Sequence, residues 1–204
     1  MKRVRTALLL AGPVLLLSAC EPRPNVMPSM EPPGPAPSQP LPQQHPKPPM
    51  PPVVSAGPLT QAGVEVYMDA QEADLRSYLR GQGVPVARRG NEIVLTVLTD
   101  RLFAGQALSD WGDSFARAVA QVTAHFDRTA LDIACYTDAK GAEADNLALS
   151  QKRAKSLADA FRGYGIAGSR LKAEGLGATN PRGTDPNAAR NRRIEIRISP
   201  RPSN

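Results

Sequence analysis

The sequence predicts an α+β fold in which helices pack on one face of a sheet, and three observations carry that prediction. Residues 131–136 and 194–198 alternate apolar and polar side chains with the period of half-buried strands. Residues 109–125 and 145–162 instead repeat apolar side chains three and four apart, which gives each helix one apolar face. After Leu98 the order is helix, strand, helix, strand, strand, and elements with single apolar faces bury them against one another.

The first nineteen residues have the layout of an export signal: Lys2, Arg3 and Arg5, an apolar run over 7–17, then small residues before Cys20. The run is interrupted by Gly12-Pro13 and is shorter than the roughly 20 residues a spanning helix needs. Leu17-Ser18-Ala19-Cys20 resembles a bacterial lipobox, which implies cleavage before Cys20 and acylation of its thiol. Acyl chains contribute about 0.8 kcal/mol per buried CH₂, enough for two or three to hold a protein on a lipid membrane. Glu21 follows the cysteine, which by analogy with the enteric sorting rule favours the outer membrane, facing the periplasm.

Residues 20–58 read as a lipidated cysteine and a disordered linker, because fifteen of the thirty-eight residues after Cys20 are proline. Polyproline II chain of that length reaches on the order of 100 Å. Residues 59–80 read as a helix ended by Gly81 and Gly83, and 84–87 with 92–98 as a hairpin turning at Arg88-Arg89-Gly90-Asn91; together 59–98 form an N-terminal extension. The remaining segment, 99–200, suits one folded domain.

Within it, Ser109 caps a helix reaching about His125, whose Trp111, Phe115, Val119 and Val122 share a face. In the strand that follows, Leu131, Ile133 and Cys135 point one way. A loop over 137–144 leads into a helix over 145–162 with a stripe of Leu147, Ala154, Leu157, Ala158 and Phe161, terminated by Gly163 and Gly165. A short strand over 171–176, a loop over 177–189 and a last strand with Ile194, Ile196 and Ile198 on one side complete the chain.

Several function classes are excluded or weakened. Three of the six net positive charges lie in the leader, leaving +3, and no basic and aromatic residues interleave as on a single-strand nucleic-acid surface. His45 and His125 lack neighbours at metal-ligand spacing, so no metal or other cofactor is expected. Cys135 has no sequence-local base, and no phosphate loop or nucleophile elbow occurs, so the chain is not expected to be an enzyme. With Cys20 acylated, Cys135 has no disulfide partner and reads as a small buried side chain.

The residues that stand out are Tyr136-Thr137-Asp138, Asn146, Leu149-Ser150, Arg153-Ala154, Gly165-Ile166, Arg170-Leu171, Gly175, Gly177, Pro181 and Asn191-Arg192-Arg193-Ile194-Glu195. On a helix Asn146, Ser150 and Arg153 fall on one side over two turns, with Asp138 in the loop that feeds them. A cleft holding one carboxylate and one or two guanidiniums suits a zwitterion, with ammonium on Asp138 and carboxylate on Arg153. The alternative is that Asp138 and Arg153 cap the helix and form a surface ion pair worth only about 0–1 kcal/mol.

Together, these blocks resemble the OmpA/Pal/MotB C-terminal domain over about 95–198. The resemblance implies a βαβαββ-type sandwich of helices on one sheet that binds peptidoglycan non-covalently through the diaminopimelate of stem peptides. It implies ligand contacts from Asp138 and Arg153, assisted by Thr137, Asn146, Asn191 and Arg192. Cys135 stands where the family usually has glycine, Asn187-Ala188 where it has Gly-Arg, and 103–108 blurs the marks of its first strand. A competing expectation makes the chain an accessory subunit of a larger envelope complex, with a protein partner on 59–98.

Overall fold

A computed structural model describes residues 61–201 of the chain. The expected signal peptide, Cys20 and the proline-rich linker lie outside the described residues, as do the first positions of the expected helix over 59–80.

The described chain begins with α1 (Gln61–Tyr78), then a hairpin of β1 (Val86–Arg89) and β2 (Glu92–Leu98). A single helical turn, α2 (Thr99–Leu102), leads to a separate ribbon of two short strands, β3 (Phe103–Ala104) and β4 (Ala107–Leu108). Next come α3 (Asp110–His125), β5 (Thr129–Tyr136), α4 (Glu143–Gly163), β6 (Leu171–Gly175) and β7 (Arg193–Pro200). The main sheet has the order β1-β2-β7-β5-β6, with β5 and β6 parallel across the α4 crossover and the other neighbours antiparallel.

Register explains the core. Three cross-strand rows run Ile93–Ile198–Leu131, Leu95–Ile196–Ile133 and Val97–Ile194–Cys135, all buried. Burying such side chains contributes about 1.5–3 kcal/mol each. Met68 and Leu75 of α1, Phe115 and Val119 of α3, and Leu157 and Phe161 of α4 close over these rows in one hydrophobic cluster. On the opposite face Asp132, Lys172 and Arg197 are exposed. This is the α+β arrangement the periodicities predict.

β2 pairs with β7 from Ile93 to Leu98 and thus supplies the first strand of the βαβαββ order, so the sheet runs across the 98/99 boundary. After α2, the blurred segment 103–108 forms the β3–β4 ribbon instead of extending the sheet. Ser109 caps α3 as expected, its Oγ accepting from Gly112 N at 3.0 Å. At the end of α4, Gly165 N donates to Arg162 O and Ile166 N to Phe161 O, with Gly165 at φ +94°, a left-handed closure that suits glycine.

One expectation about α4 is corrected. Leu147 is 52% exposed, not part of the buried stripe. The buried face starts with Asn146 and Ser150, and turns apolar only at Ala154, Leu157, Ala158 and Phe161. Counting apolar letters misses this, because the first two turns of α4 bury polar side chains that hold loops.

Candidate functional site

The candidate site gathers where β5 and β2 end and β7 begins, beside the start of α4. Backbone bonds join the two loops that form it. Leu176 N donates to Cys135 O at 2.9 Å, Thr137 N to Gly177 O at 2.8 Å, and Ala139 N to Pro186 O at 3.1 Å. Ser150 fastens this assembly to α4: its Oγ donates to Leu147 O at 2.8 Å and accepts from Gly177 N at 2.9 Å. Gly175 lies so close to α4 that an added Cβ would stand 2.1 Å from Gln151 N. The Gly175-x-Gly177 spacing thus reflects a strand end pressed onto a helix.

Asp138 is largely buried, and its Oδ2 accepts from Arg192 Nη1 at 2.8 Å. Its Oδ1 has no hydrogen-bond partner among the described residues. Arg192 turns its remaining edge to Asp100, with Nε at 2.9 and 3.0 Å from the two carboxylate oxygens and Nη2 on Oδ2. The Asp100 carboxyl is held below its ordinary range chiefly by hydrogen bonding from Arg192, against partial burial, with the charges of Arg192 and Arg153 adding to the effect. In turn, Asp100 and then Asp138 raise the pKa of Arg192 further, keeping it cationic.

Arg153 does not pair with Asp138, which sets aside the surface ion pair that the sequence left open. Its Nε and Nη2 donate to Gly105 O at 3.3 and 3.1 Å, and its guanidinium carbon lies 5.5 Å from the Phe103 ring centroid. The β3–β4 turn therefore aims Arg153, and Nη1 is left without a protein partner among the described residues.

The other expected residues take different places. Asn146 is buried and donates to Lys140 O at 3.0 Å, bracing the loop after Asp138. Thr137 is buried with its Oγ1 unpartnered. Asn191, expected as a ligand contact, is 1% exposed and already engaged. It accepts from Arg182 N at 2.7 Å and donates to Asp185 O and Pro186 O, both at 2.9 Å. Those bonds make it a brace of the loop that carries Arg192.

Asp100 is not singled out in the sequence, and Arg193 is singled out without its structural role. Asp100 follows β2, 92 positions before Arg192, and a lone acid after a strand carries no signal of its own. Arg193 is buried, stacks over Tyr136 at 3.9 Å and bonds Glu195 Oε1 at 2.8 Å, a pairing that holds the start of β7. Burial pushes the Cys135 thiol up to about 12, so it is protonated and a poor nucleophile at neutral pH. Among the described residues no group of three or more His, Cys, Asp or Glu could hold a metal, and no helix is long and apolar enough to cross a membrane.

The OmpA family model matches residues 107–195, which include Asp138, Arg153 and Arg192. Residues 107–195 belong to the OmpA family. The chain is 40% identical over 143 residues to the probable lipoprotein YiaD of Escherichia coli (strain K12), covering 68% of this chain and 65% of that protein. It is 42% identical over 67 residues to the peptidoglycan-binding protein ArfA of Mycobacterium tuberculosis, covering 31% of this chain and 21% of that one. The matches thus span less than two thirds of either relative.

Among solved structures, the chain resembles a putative MotB like protein from Desulfovibrio vulgaris at 26% identity and TM-score 0.60, covering 69% of this chain and 99% of that one. It also resembles the cell wall anchor of the T6SS from Pseudomonas aeruginosa at 28% identity and TM-score 0.53, covering 62% and 96%. The family thus agrees with the motif blocks, and the OmpA-like match begins at the β3–β4 ribbon.

Proposed function

We propose that this OmpA-family domain binds peptidoglycan non-covalently, taking the zwitterionic end of meso-diaminopimelate in uncross-linked stem peptides. The observation that carries the reading is a complementary pair of unused groups: Asp138 Oδ1, an acceptor, and Arg153 Nη1, a donor. An ammonium suits the first and a carboxylate the second. A relative named for peptidoglycan binding and a structural neighbour titled a cell wall anchor support the same ligand class.

Acylated Cys20 anchors the chain in the outer membrane, and the linker lets the domain reach the wall; similarity to a probable lipoprotein supports this arrangement. Binding requires no turnover, so the role is that of a tether. The extension contributes Met68, Leu75 and β2 to the same core while leaving Val66 and Leu98 exposed, so a protein partner on it stays a second reading.

The test is co-sedimentation of the full chain, in detergent, with purified sacculi. Wild type sediments, while Asp138→Ala and Arg153→Ala stay in the supernatant with unchanged circular dichroism. Sedimentation of both variants at wild-type levels sinks the assignment of this site.

A further inference from the structure

Asp138 faces a difficulty as an ammonium acceptor, because a guanidinium already rests on it. Arg192 Nη1 occupies Oδ2 at 2.8 Å, and an incoming cation meets that charge at close range. If Arg192 were free to turn, it would present a bidentate fork to Asp138, the geometry a guanidinium and a carboxylate favour, and would cover Oδ1 as well.

Asp100 holds Arg192 against that turn from the opposite edge. It takes Nε and Nη2, one of the two edges through which a guanidinium grips a carboxylate bidentately, and in the orientation this fixes only Nη1 bonds Asp138. The backbone fixes the placement. Leu98 and Arg193 are register partners at the ends of β2 and β7, and Thr99 N donates to Arg192 O at 2.9 Å. Asp100 and Arg192 thus each lie a residue or two outside one cross-strand pair. The arrangement also brings two carboxylates and two guanidiniums together, since Arg153 lies close enough to act on the Asp100 charge.

We infer that Asp100 is a positioning residue of the ligand site: it retains Arg192 and thereby keeps Asp138 Oδ1 open for the ligand's ammonium. The inference rests on the proposed peptidoglycan reading and deepens it. Asp100 acts through Arg192, so its effect depends on Arg192 being present.

A double-mutant cycle tests this. Titration calorimetry of the full chain, in detergent, uses an uncross-linked muropeptide monomer carrying meso-diaminopimelate as the probe. Asp100→Ala weakens binding about fivefold, the scale of a half-exposed ion pair, and Asp100→Glu restores most of it. In an Arg192→Ala background, Asp100→Ala changes nothing. Melting temperatures of the Asp100 variants fall by no more than the few degrees that a half-exposed ion pair is worth, and Asp100→Ala stays fully folded at the temperature of the titration, which separates positioning from a fold defect. Wild-type affinity in Asp100→Ala, or a loss that persists in the Arg192→Ala background, overturns the inference while leaving the peptidoglycan reading intact. No binding by wild type overturns that reading, and this inference with it.

Discussion

Ser150 and Leu147 are neighbours on one helix, and the structure reverses the importance their letters suggest. Ser150→Ala removes both Oγ bonds and leaves Gly177 N–H buried without an acceptor. An orphaned buried donor costs about 1–3 kcal/mol. Alanine recovers about 0.5 kcal/mol in helix propensity, and Leu147 O keeps its helical partner. The net loss is therefore about 1.5 kcal/mol, or about 5 °C in melting temperature for a domain of this size. Leu147→Ala, at a side chain more than half exposed, costs under about 1 kcal/mol. Thermal unfolding followed by far-ultraviolet circular dichroism ranks the two variants. A Ser150→Ala melting temperature equal to wild type, or below which Leu147→Ala falls, refutes the claim that the buried start of α4 is a polar loop brace.

Gly175→Ala should destabilise by about 2–3 kcal/mol, because its Cβ would overlap the Gln151 backbone; an urea midpoint unchanged from wild type contradicts that packing. Asp100 has a folded-state pKa below its unfolded value, so the stability it contributes is intact above about pH 4 and lost as pH falls through the lowered value. Unfolding of wild type and Asp100→Asn should accordingly differ at pH 7 and converge in strong acid, and a gap that widens on acidification reverses the sign. Cys135, buried and protonated, should resist maleimide at pH 8 until denaturant is added; rapid modification of its peptide in the native state, read by mass spectrometry, excludes the buried placement.

Most of the fold was legible because its strands and helices obey simple periods. The isoleucines of β7 and the apolar positions of β5 announced which faces meet, and Ser109 marked a helix start that the cap geometry shares. Elsewhere the pattern was silent. Residues 103–108 form strands of two residues each, too short to show any alternation, yet this ribbon aims Arg153 through Gly105 O. Leu147 was misplaced because a buried stripe was assumed to be apolar throughout, whereas Asn146 and Ser150 hold its first turns. For the site, resemblance gave the residue types but not their partners. The pairing of Asp138 with Arg192 instead of Arg153 depends on β7 starting beside the end of β2, and Asp100 enters only through that three-dimensional neighbourhood. Asn191 shows the same gap, since its bonds to Asp185 and Pro186 are set by the loop's fold.

The most direct test of the central claim changes one group of the ligand and none of the protein. Calorimetry of the full chain compares a muropeptide monomer bearing free meso-diaminopimelate with the same monomer amidated at the terminal carboxyl of that residue. If Arg153 Nη1 receives the carboxylate while Asp138 receives the ammonium, amidation weakens binding by about tenfold or more, the scale of a charged hydrogen bond. Equal affinity for the two monomers would contradict recognition of a zwitterion at this site.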